Sequence, residues 1–242
     1  MDTDKHELDE IRRNPPSAKR VAERALVLAC LCCRGAIEQD AGNPKAEEFR
    51  QKVFEWLEQS GAQGEAELVE RTVLLTPLGN LSREQHASAT WQAEGLVVLA
   101  WALYRVGLPD YETAANGKSV SDSLGWLTDG AAKLFTEATV RDAATIQSLA
   151  DKLFALDWRL ADFQLKKSPM NFVEFAKTAW FGPLKVEGLR FASNDLSIGG
   201  FAISEASDEA RGLCRMITVN RRRAAEWLLG QSEVYSEVDL ST

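Results

Sequence analysis

Histidine is scarce in this chain, and its scarcity restricts the chemistry that the protein could perform. The 242 residues include only His6 and His86. Because a serine or cysteine nucleophile is usually activated by a histidine, such a pair could use only His86, at a helix start. The chain also lacks the G-x-S-x-G, Walker A and G-x-G-x-x-G patterns. These absences argue against a nucleophile elbow and against the common phosphate-binding loops. We expect no catalytic residue set and no cofactor.

Cysteine is also infrequent, and its placement argues against a disulfide or a metal centre. Cys30, Cys32 and Cys33 fall on one predicted helix, and Cys214 stands alone downstream. Neighbours on one helix do not easily adopt disulfide geometry. The two histidines supply too few additional ligands for a Cys/His zinc site. We therefore expect reduced core cysteines and no bound metal.

Long hydrophobic runs and a signal peptide are missing as well. The most apolar runs, 25–33 and 95–104, are shorter than the roughly 18 residues needed to span a bilayer. The first ten residues, MDTDKHELDE, are polar and charged, unlike a secretory signal. A net charge of −8 disfavours nucleic acid and favours basic partners. We expect a cytoplasmic protein that binds neither membrane nor nucleic acid, and whose partner, if any, is a basic protein.

Apolar residues recur at steps of three and four through most of the chain, which is typical of amphipathic helices. Ser82 and Gln85 form a capping-box pattern that opens a long helix. Ser193-Asn194-Asp195 and Gly199-Gly200 separate short apolar stretches, as in a β-hairpin. The clearest helical seam consists of Ile146, Leu149, Leu153, Leu156, Leu160 and Phe163.

These patterns predict a mainly α fold, a single-domain helical bundle with a small β-hairpin near residues 189–203. Residues 1–14 are predicted to be a mobile polar leader, residues 15–231 the helical domain, and residues 232–242 a polar tail. The chain has no internal repeat or low-complexity linker, which favours one domain.

Glu94 is the carboxylate that most suggests a ligand site. Spacing places it on an inward helix face between two tryptophans, and a buried carboxyl group has a raised pKa unless it is paired. A pocket here would use the candidate ligand-binding residues Trp91, Glu94, Trp101 and Trp158. The alternative is a structural ion pair with an arginine of a facing helix, such as Arg24 or Arg159.

Two further groups of charged residues have structural interpretations that we prefer to functional ones. One group follows the flank of the 146–163 seam, and we interpret it as a solvated helix face with Asp162 and Lys166 paired at i, i+4, rather than as a metal site. The other makes the last helix basic, and we interpret it as a face balanced by acidic neighbours rather than as a nucleic-acid interface. The groups are Asp151, Asp157, Arg159 and Asp162, and Arg211, Arg215, Arg221, Arg222 and Arg223.

Several segments together resemble the bacterial family called domain of unknown function 4272. They are RALVLACL from Arg24, the pair Trp56-Leu57, WQAEGLVVLAWAL from Trp91, LADKLFALDWRLADFQL from Leu149, NDLSIGGFAI from Asn194 and RRRAAEWLLG from Arg221. The resemblance implies a helical fold with a small β element and implies no activity. It also implies a histidine before the tryptophan of the 149–165 segment. This chain has Asp157 before Trp158 and would lack any role of that histidine.

Three functional hypotheses follow. The leading one is a non-enzymatic protein-interaction module, either an adaptor or an immunity-type inhibitor of a toxin. The second is an enzyme or small-ligand-binding protein that uses an inter-helix pocket around Glu94. The third is self-association through exposed apolar helix faces.

Overall fold

The computed structural model describes residues 14–241, so the predicted leader lies almost entirely outside the described residues. Within this range the chain forms nine α-helices and one small sheet. The helices are α1 (Ala18–Ile37), α2 (Pro44–Ser60), α3 (Leu68–Leu75), α4 (Arg83–Ala102), α5 (Gly117–Ser123), α6 (Gly130–Glu137), α7 (Ala143–Lys166), α8 (Phe172–Thr178) and α9 (Asp208–Leu228). The strands are β1 (Phe191–Ala192), β2 (Asp195–Ile198) and β3 (Phe201–Ala202). The mainly α prediction is confirmed.

Helix starts follow local capping rules that can be read from the sequence. Ser82 accepts a hydrogen bond from the Gln85 backbone N–H, and the Gln85 side chain accepts one from the Ser82 N–H, which completes the predicted capping box. The side chains of Ser17, Asp142 and Ser207 also accept hydrogen bonds from the third backbone N–H of α1, α7 and α9, although without the reciprocal side-chain bond to the cap's backbone N–H. These contacts satisfy backbone donors that have no partner inside the helix.

The centre of the bundle is α1, which packs against α4, while α4 and α7 each pack against α9. The nine apolar residues at positions 25–33 of α1 are all buried or half-buried. A helix that is apolar on all sides needs neighbours on all sides. The segment that the sequence analysis assigns to a polar tail adds to this core, because Tyr235 and Val238 are buried within it.

A second, smaller apolar cluster joins the later half of α7 to α8, the sheet and the start of α9. The three strands are antiparallel in the order β1-β2-β3. Ala192 pairs with Asp195 and Ile198 pairs with Phe201. Both turns use residues with positive φ, Ser193-Asn194 and Gly199-Gly200, as tight hairpin turns require. The predicted β-hairpin near 189–203 is therefore present, with a third strand.

Two short helices have well-defined starts. Helix α5 begins at Gly117, where the Asn116 side chain accepts a hydrogen bond from the Ser119 backbone N–H. Helix α3 begins at Leu68 with a capping box between Glu67 and Glu70. No helix within residues 14–241 has both the length and the hydropathy required to cross a bilayer.

Candidate functional site

Glu94 lies at the buried contact between α4 and α9, where it forms an ion pair with Arg221. The Arg221 Nε atom donates to Glu94 Oε2 at 2.8 Å, and the Ala115 backbone N–H donates to Glu94 Oε1 at 2.7 Å. Glu94 is 1% exposed. Both carboxylate oxygens therefore have protein partners, and solvent does not reach them.

The rest of the Arg221 guanidinium holds the loop between α4 and α5. Its Nη1 atom donates to the carbonyls of Pro109 and Asp110 at 2.9 and 3.0 Å, and its Nη2 atom donates to the Thr113 carbonyl at 2.8 Å. Burial lowers the pKa of Arg221, and Glu94 opposes that effect. Arginine nevertheless stays charged in proteins, so this residue works as a permanent clamp on the loop.

The geometry thus supports a structural ion pair for Glu94, although neither of the suggested arginine partners forms it. Arg24 pairs instead with Glu70 of α3. Arg159 pairs with Asp195 of β2, with its Nη2 atom 2.6 Å from Asp195 Oδ2. The sequence could not select Arg221 because it is 127 residues from Glu94 along the chain.

The three candidate tryptophans do not form one pocket with Glu94. Trp101 lines an open cleft of about 860 Å³ beside the first half of α7, and this cleft is not lined by Glu94. Trp158 belongs to the second apolar cluster, where its ring stacks on Phe175 with centroids 4.4 Å apart. Trp91 is half-buried near the middle of α4. The structure therefore separates the members of the predicted site.

The charged flank of α7 is buried, and its interpretation as a solvated face is wrong. Arg159 Nη1 donates to Asp162 at 3.0 Å, and Arg222 of α9 donates to Asp157 at 2.6 Å. The predicted pair of Asp162 with Lys166 is confirmed at 2.6 Å. No group of potential ligands within residues 14–241 has the arrangement of a metal site.

The arginines of α9 mostly balance acidic neighbours, as the sequence analysis expects. Arg221 and Arg222 pair with buried carboxylates, and Arg211 pairs with Asp208 at 2.6 Å. Arg215 and Arg223 differ, because no hydrogen bond or ion pair joins either side chain to another residue in the described range, 14–241. Arg215 lies beside a second cleft, between α7 and α9.

The most exposed apolar helix surface is on α3, and sequence reasoning missed it. Leu68, Val69 and Leu75 are 82%, 70% and 51% exposed, whereas Val73 and Leu74 of the same helix are buried. We call the surface formed by Leu68, Val69 and Leu75 the α3 face. The sequence does contain a signal for this surface, because the eight residues of α3 include more apolar side chains than a single buried helix face can hold.

The chain segment that contains the α3 face is acidic. Residues 38–82 contain nine acidic and four basic residues, a net charge of −5 out of −8 for the chain. Arg20, Arg24 and Arg34 of α1 pair with Glu65, Glu70 and Glu38 of this segment, which leaves a net charge of −2. Glu58 of α2 lies 3.8 Å from Arg71, and Arg71 shares a helix face with Leu68 and Leu75 at i+3 and i−4. We call residues 38–82 the acidic lobe.

The four cysteines are free thiols within the described residues. Burial raises the pKa of Cys30 and of Cys214 to about 12 in each case. Burial likewise raises the pKa of Cys32 to about 11 and that of Cys33 to about 12. Because the thiolate is the nucleophile, none of these groups is prepared for nucleophilic chemistry.

The fold and its buried ion pairs define a helical-bundle protein in which ionisable side chains connect the helices. The chain belongs to the family described as a domain of unknown function (DUF4272), whose model matches residues 7–173. No curated protein and no solved structure matches the chain. The matched range ends at the start of α8, so the sheet and α9 lie beyond it. Two of the segments that carried the resemblance, from Asn194 and from Arg221, are in this later part.

Proposed function

We propose that the protein is a non-enzymatic interaction module, an adaptor or an immunity-type inhibitor, that binds a basic protein segment through the α3 face. The observation that carries this proposal is the exposure of Leu68 and Val69, at 82% and 70%. Both belong to a helix that is otherwise anchored to the bundle. Adjacent exposed aliphatic side chains of this kind, rimmed by polar residues, are typical of contact sites.

Burying the α3 face would supply a useful part of a binding free energy. Complete burial of a leucine or valine side chain contributes roughly 1.5–3 kcal/mol. Leu68, Val69 and Leu75 are mostly or half exposed, so a partner could gain a large share of that amount at each position. The position of α3 is well defined, because Arg24 bonds Glu70 and Arg50 Nη1 donates to the Leu74 carbonyl at 2.7 Å. A fixed helix loses little entropy when it binds.

The acidic lobe supports a basic partner rather than an acidic one. The net charge of −2 that remains after pairing with the α1 arginines attracts cations over about one Debye length, roughly 8–10 Å at physiological salt. Such steering increases the association rate and weakens as salt rises. The occupant that we propose is an amphipathic segment with aliphatic residues on one side and lysine or arginine on the other.

The rival hypothesis of an enzyme or ligand-binding pocket at Glu94 has less support. Its carboxylate is paired with Arg221, is bonded by the Ala115 N–H and is 1% exposed. A substrate would have to break a buried ion pair to reach it. A cytoplasmic location remains part of the proposal, because four free cysteines suit a reducing compartment.

The test measures binding of a fluorescent helical peptide that has leucine on one face and lysine on the other. We expect the double variant L68S/L75S to bind at least about tenfold more weakly than the wild type, which corresponds to about 1.4 kcal/mol. Wild-type affinity should also fall as salt increases. Fluorescence polarisation measures both effects.

The matched control is Leu165→Ser on α7, because Leu165 is 84% exposed but lies outside the acidic lobe. This variant should bind the peptide as the wild type does. Equal loss in L165S and L68S/L75S, or no loss in either, would refute the α3 face as the binding surface. Light scattering that shows a dimer lost in L68S/L75S would favour self-association instead.

A further inference from the structure

A second surface feature is independent of the α3 face. A cleft of about 690 Å³ lies between the C-terminal end of α7 and the first turns of α9. Leu160, Phe163 and Met216 give it an apolar wall, and Lys167, Arg211 and Arg215 give it cations. We call it the α7–α9 cleft. Its volume is within the range of small-molecule sites, which combine apolar walls with a few polar groups.

The charges that line the cleft are unbalanced. Asp208 is its one acidic lining residue among those described, and it already pairs with Arg211 at 2.6 Å. The nearby cations, chiefly Arg211 and to a smaller extent Lys167, lower the pKa of Asp208, so its carboxylate is ionised. Lys167 and Arg215 have no side-chain hydrogen bond or ion pair within residues 14–241. Three cations and one anion leave a net charge of +2 on a chain whose total is −8.

The rim of the cleft is rigid. Arg211 Nη1 donates to the carbonyls of Ile203 and Ala206, and its guanidinium lies 5.0 Å from the centroid of the Phe163 ring. These bonds join the first turn of α9 to the end of the sheet. A ligand would therefore meet a preformed wall, which lowers the entropic cost of binding.

Gly212 leaves part of the cleft wall without a side chain. It lies on α9 among the lining residues, and a Cβ atom added to it would have no heavy atom within 4 Å. Glycine weakens a helix interior relative to other residues. At this position, its effect is to leave space where a side chain would project.

We propose that the α7–α9 cleft binds a small amphipathic organic anion, with its carboxylate, sulfonate or phosphate group on Arg215 and Lys167. Its apolar body lies against Leu160, Phe163 and Met216. Arginine suits such a group because its planar fork of donors matches the oxygens of an anionic head. This site shares no residue with the α3 face, so either proposal can fail without the other.

The probe for the test is 1-anilinonaphthalene-8-sulfonate, an aromatic sulfonate whose fluorescence increases in apolar sites. We expect the wild type to bind it at one site, with decanoate displacing it and uncharged decanol displacing it at least about tenfold less effectively. Arg215→Gln should weaken probe binding by about tenfold or more. Gly212→Leu should fill the cleft and abolish binding, and it favours the helix rather than disrupting it.

Matched controls separate this site from other surfaces. Arg105→Gln removes an exposed arginine elsewhere and should change the dissociation constant by less than about twofold. Leu68→Ser should also have no effect, because the α3 face is separate. The proposal is overturned if the wild type does not bind the probe, if R215Q behaves as R105Q does, or if G212L retains full binding. A loss in L68S equal to that in R215Q would likewise overturn it.

Discussion

Two regions of α9, the closed contact at Arg221 and the open cleft at Arg215, use arginine in opposite ways. Towards its C-terminus, Arg221 and Arg222 enter the closed contacts with α4 and α7 and pair with Glu94 and Asp157. Towards its N-terminus, Arg215 faces an open cleft without a partner in the described range, 14–241. The same residue type on one helix is therefore scaffold in the closed region and a candidate binding group in the open one.

The difference shows that burial with complete pairing, rather than charge itself, identifies a structural ionic group. Removing an ion pair from water costs several kcal/mol per ion, which good geometry and additional hydrogen bonds must offset. Arg221 meets that requirement with a carboxylate and three carbonyls. Arg215 pays no such cost, because it is half-buried and solvent can reach it.

The largest effect is expected from breaking the closed contact between α4 and α9. Glu94→Leu leaves the Arg221 guanidinium buried without its counter-charge and should reduce the free energy of unfolding by on the order of 3–5 kcal/mol. Urea denaturation followed by circular dichroism measures this change. Arg221→Met should have a cost of similar size.

The double variant Glu94→Leu with Arg221→Met provides the control. Replacing a buried ion pair with apolar residues of similar size is often close to neutral, so this variant should recover much of the loss. If the double variant is as unstable as the sum of the two single variants, the pair is not coupled, and the description of it as a self-contained scaffold is wrong.

A smaller loss is expected from Gly95→Ala, also in the closed region. A Cβ atom at position 95 would lie 2.2 Å from the Tyr235 hydroxyl. The Tyr235 ring cannot easily move, because it packs 5.7 Å from Trp227 and 4.3 Å below the Arg24 guanidinium. Overpacking of this kind costs about 1–3 kcal/mol, and the gain in helix propensity from alanine offsets part of it. Urea titration measures the difference.

Tyr235→Phe tests whether the Tyr235 hydroxyl causes the loss of stability in Gly95→Ala. In that background the nearest remaining contact of the new Cβ atom is Leu28 Cδ1 at 3.3 Å, so Gly95→Ala should cost less than it does beside tyrosine. An identical cost in both backgrounds would assign the penalty to another contact.

Thiol reactivity tests, without any mutation, how tightly the buried cysteines are enclosed. Burial raises the pKa of Cys30 and Cys214 to about 12, so at pH 8 their reactive thiolate form is rare. We expect Ellman's reagent to label the native protein much more slowly than free glutathione, with the rate rising with pH, and to titrate four thiols in guanidinium. Rapid stoichiometric labelling of native Cys30 would show that this region opens readily.

The smallest effects on stability are expected at the open surfaces. Arg215→Gln and L68S/L75S change side chains that are half-buried or exposed, and surface changes of this kind usually stay within about 0.5 kcal/mol of the wild type. Their effects should appear in binding of the sulfonate and of the basic peptide. A loss of stability above about 2 kcal/mol in either variant would show that the residue is structural, as Arg221 is.

Much of the fold could be predicted because it depends on local spacing. The seam from Ile146 to Phe163 lies within α7, the Ser82–Gln85 capping box opens α4, and the Gly199-Gly200 turn separates two strands. Each of these signals involves residues only a few positions apart. The candidate site was less predictable, because Trp101 and Trp158 point into different apolar clusters.

The sequence by itself determined the helical class, the principal helices and the small sheet, since hydrophobic periodicity and capping act within a few residues. Only the tertiary structure decided that Glu94 pairs with Arg221, that Asp157, Arg159 and Asp162 are buried, and that Arg215 faces a cleft. The physical reason is that ion pairs and clefts depend on which helix faces meet across long stretches of chain. A periodic pattern shows that a face is apolar, but it does not show which face will cover it.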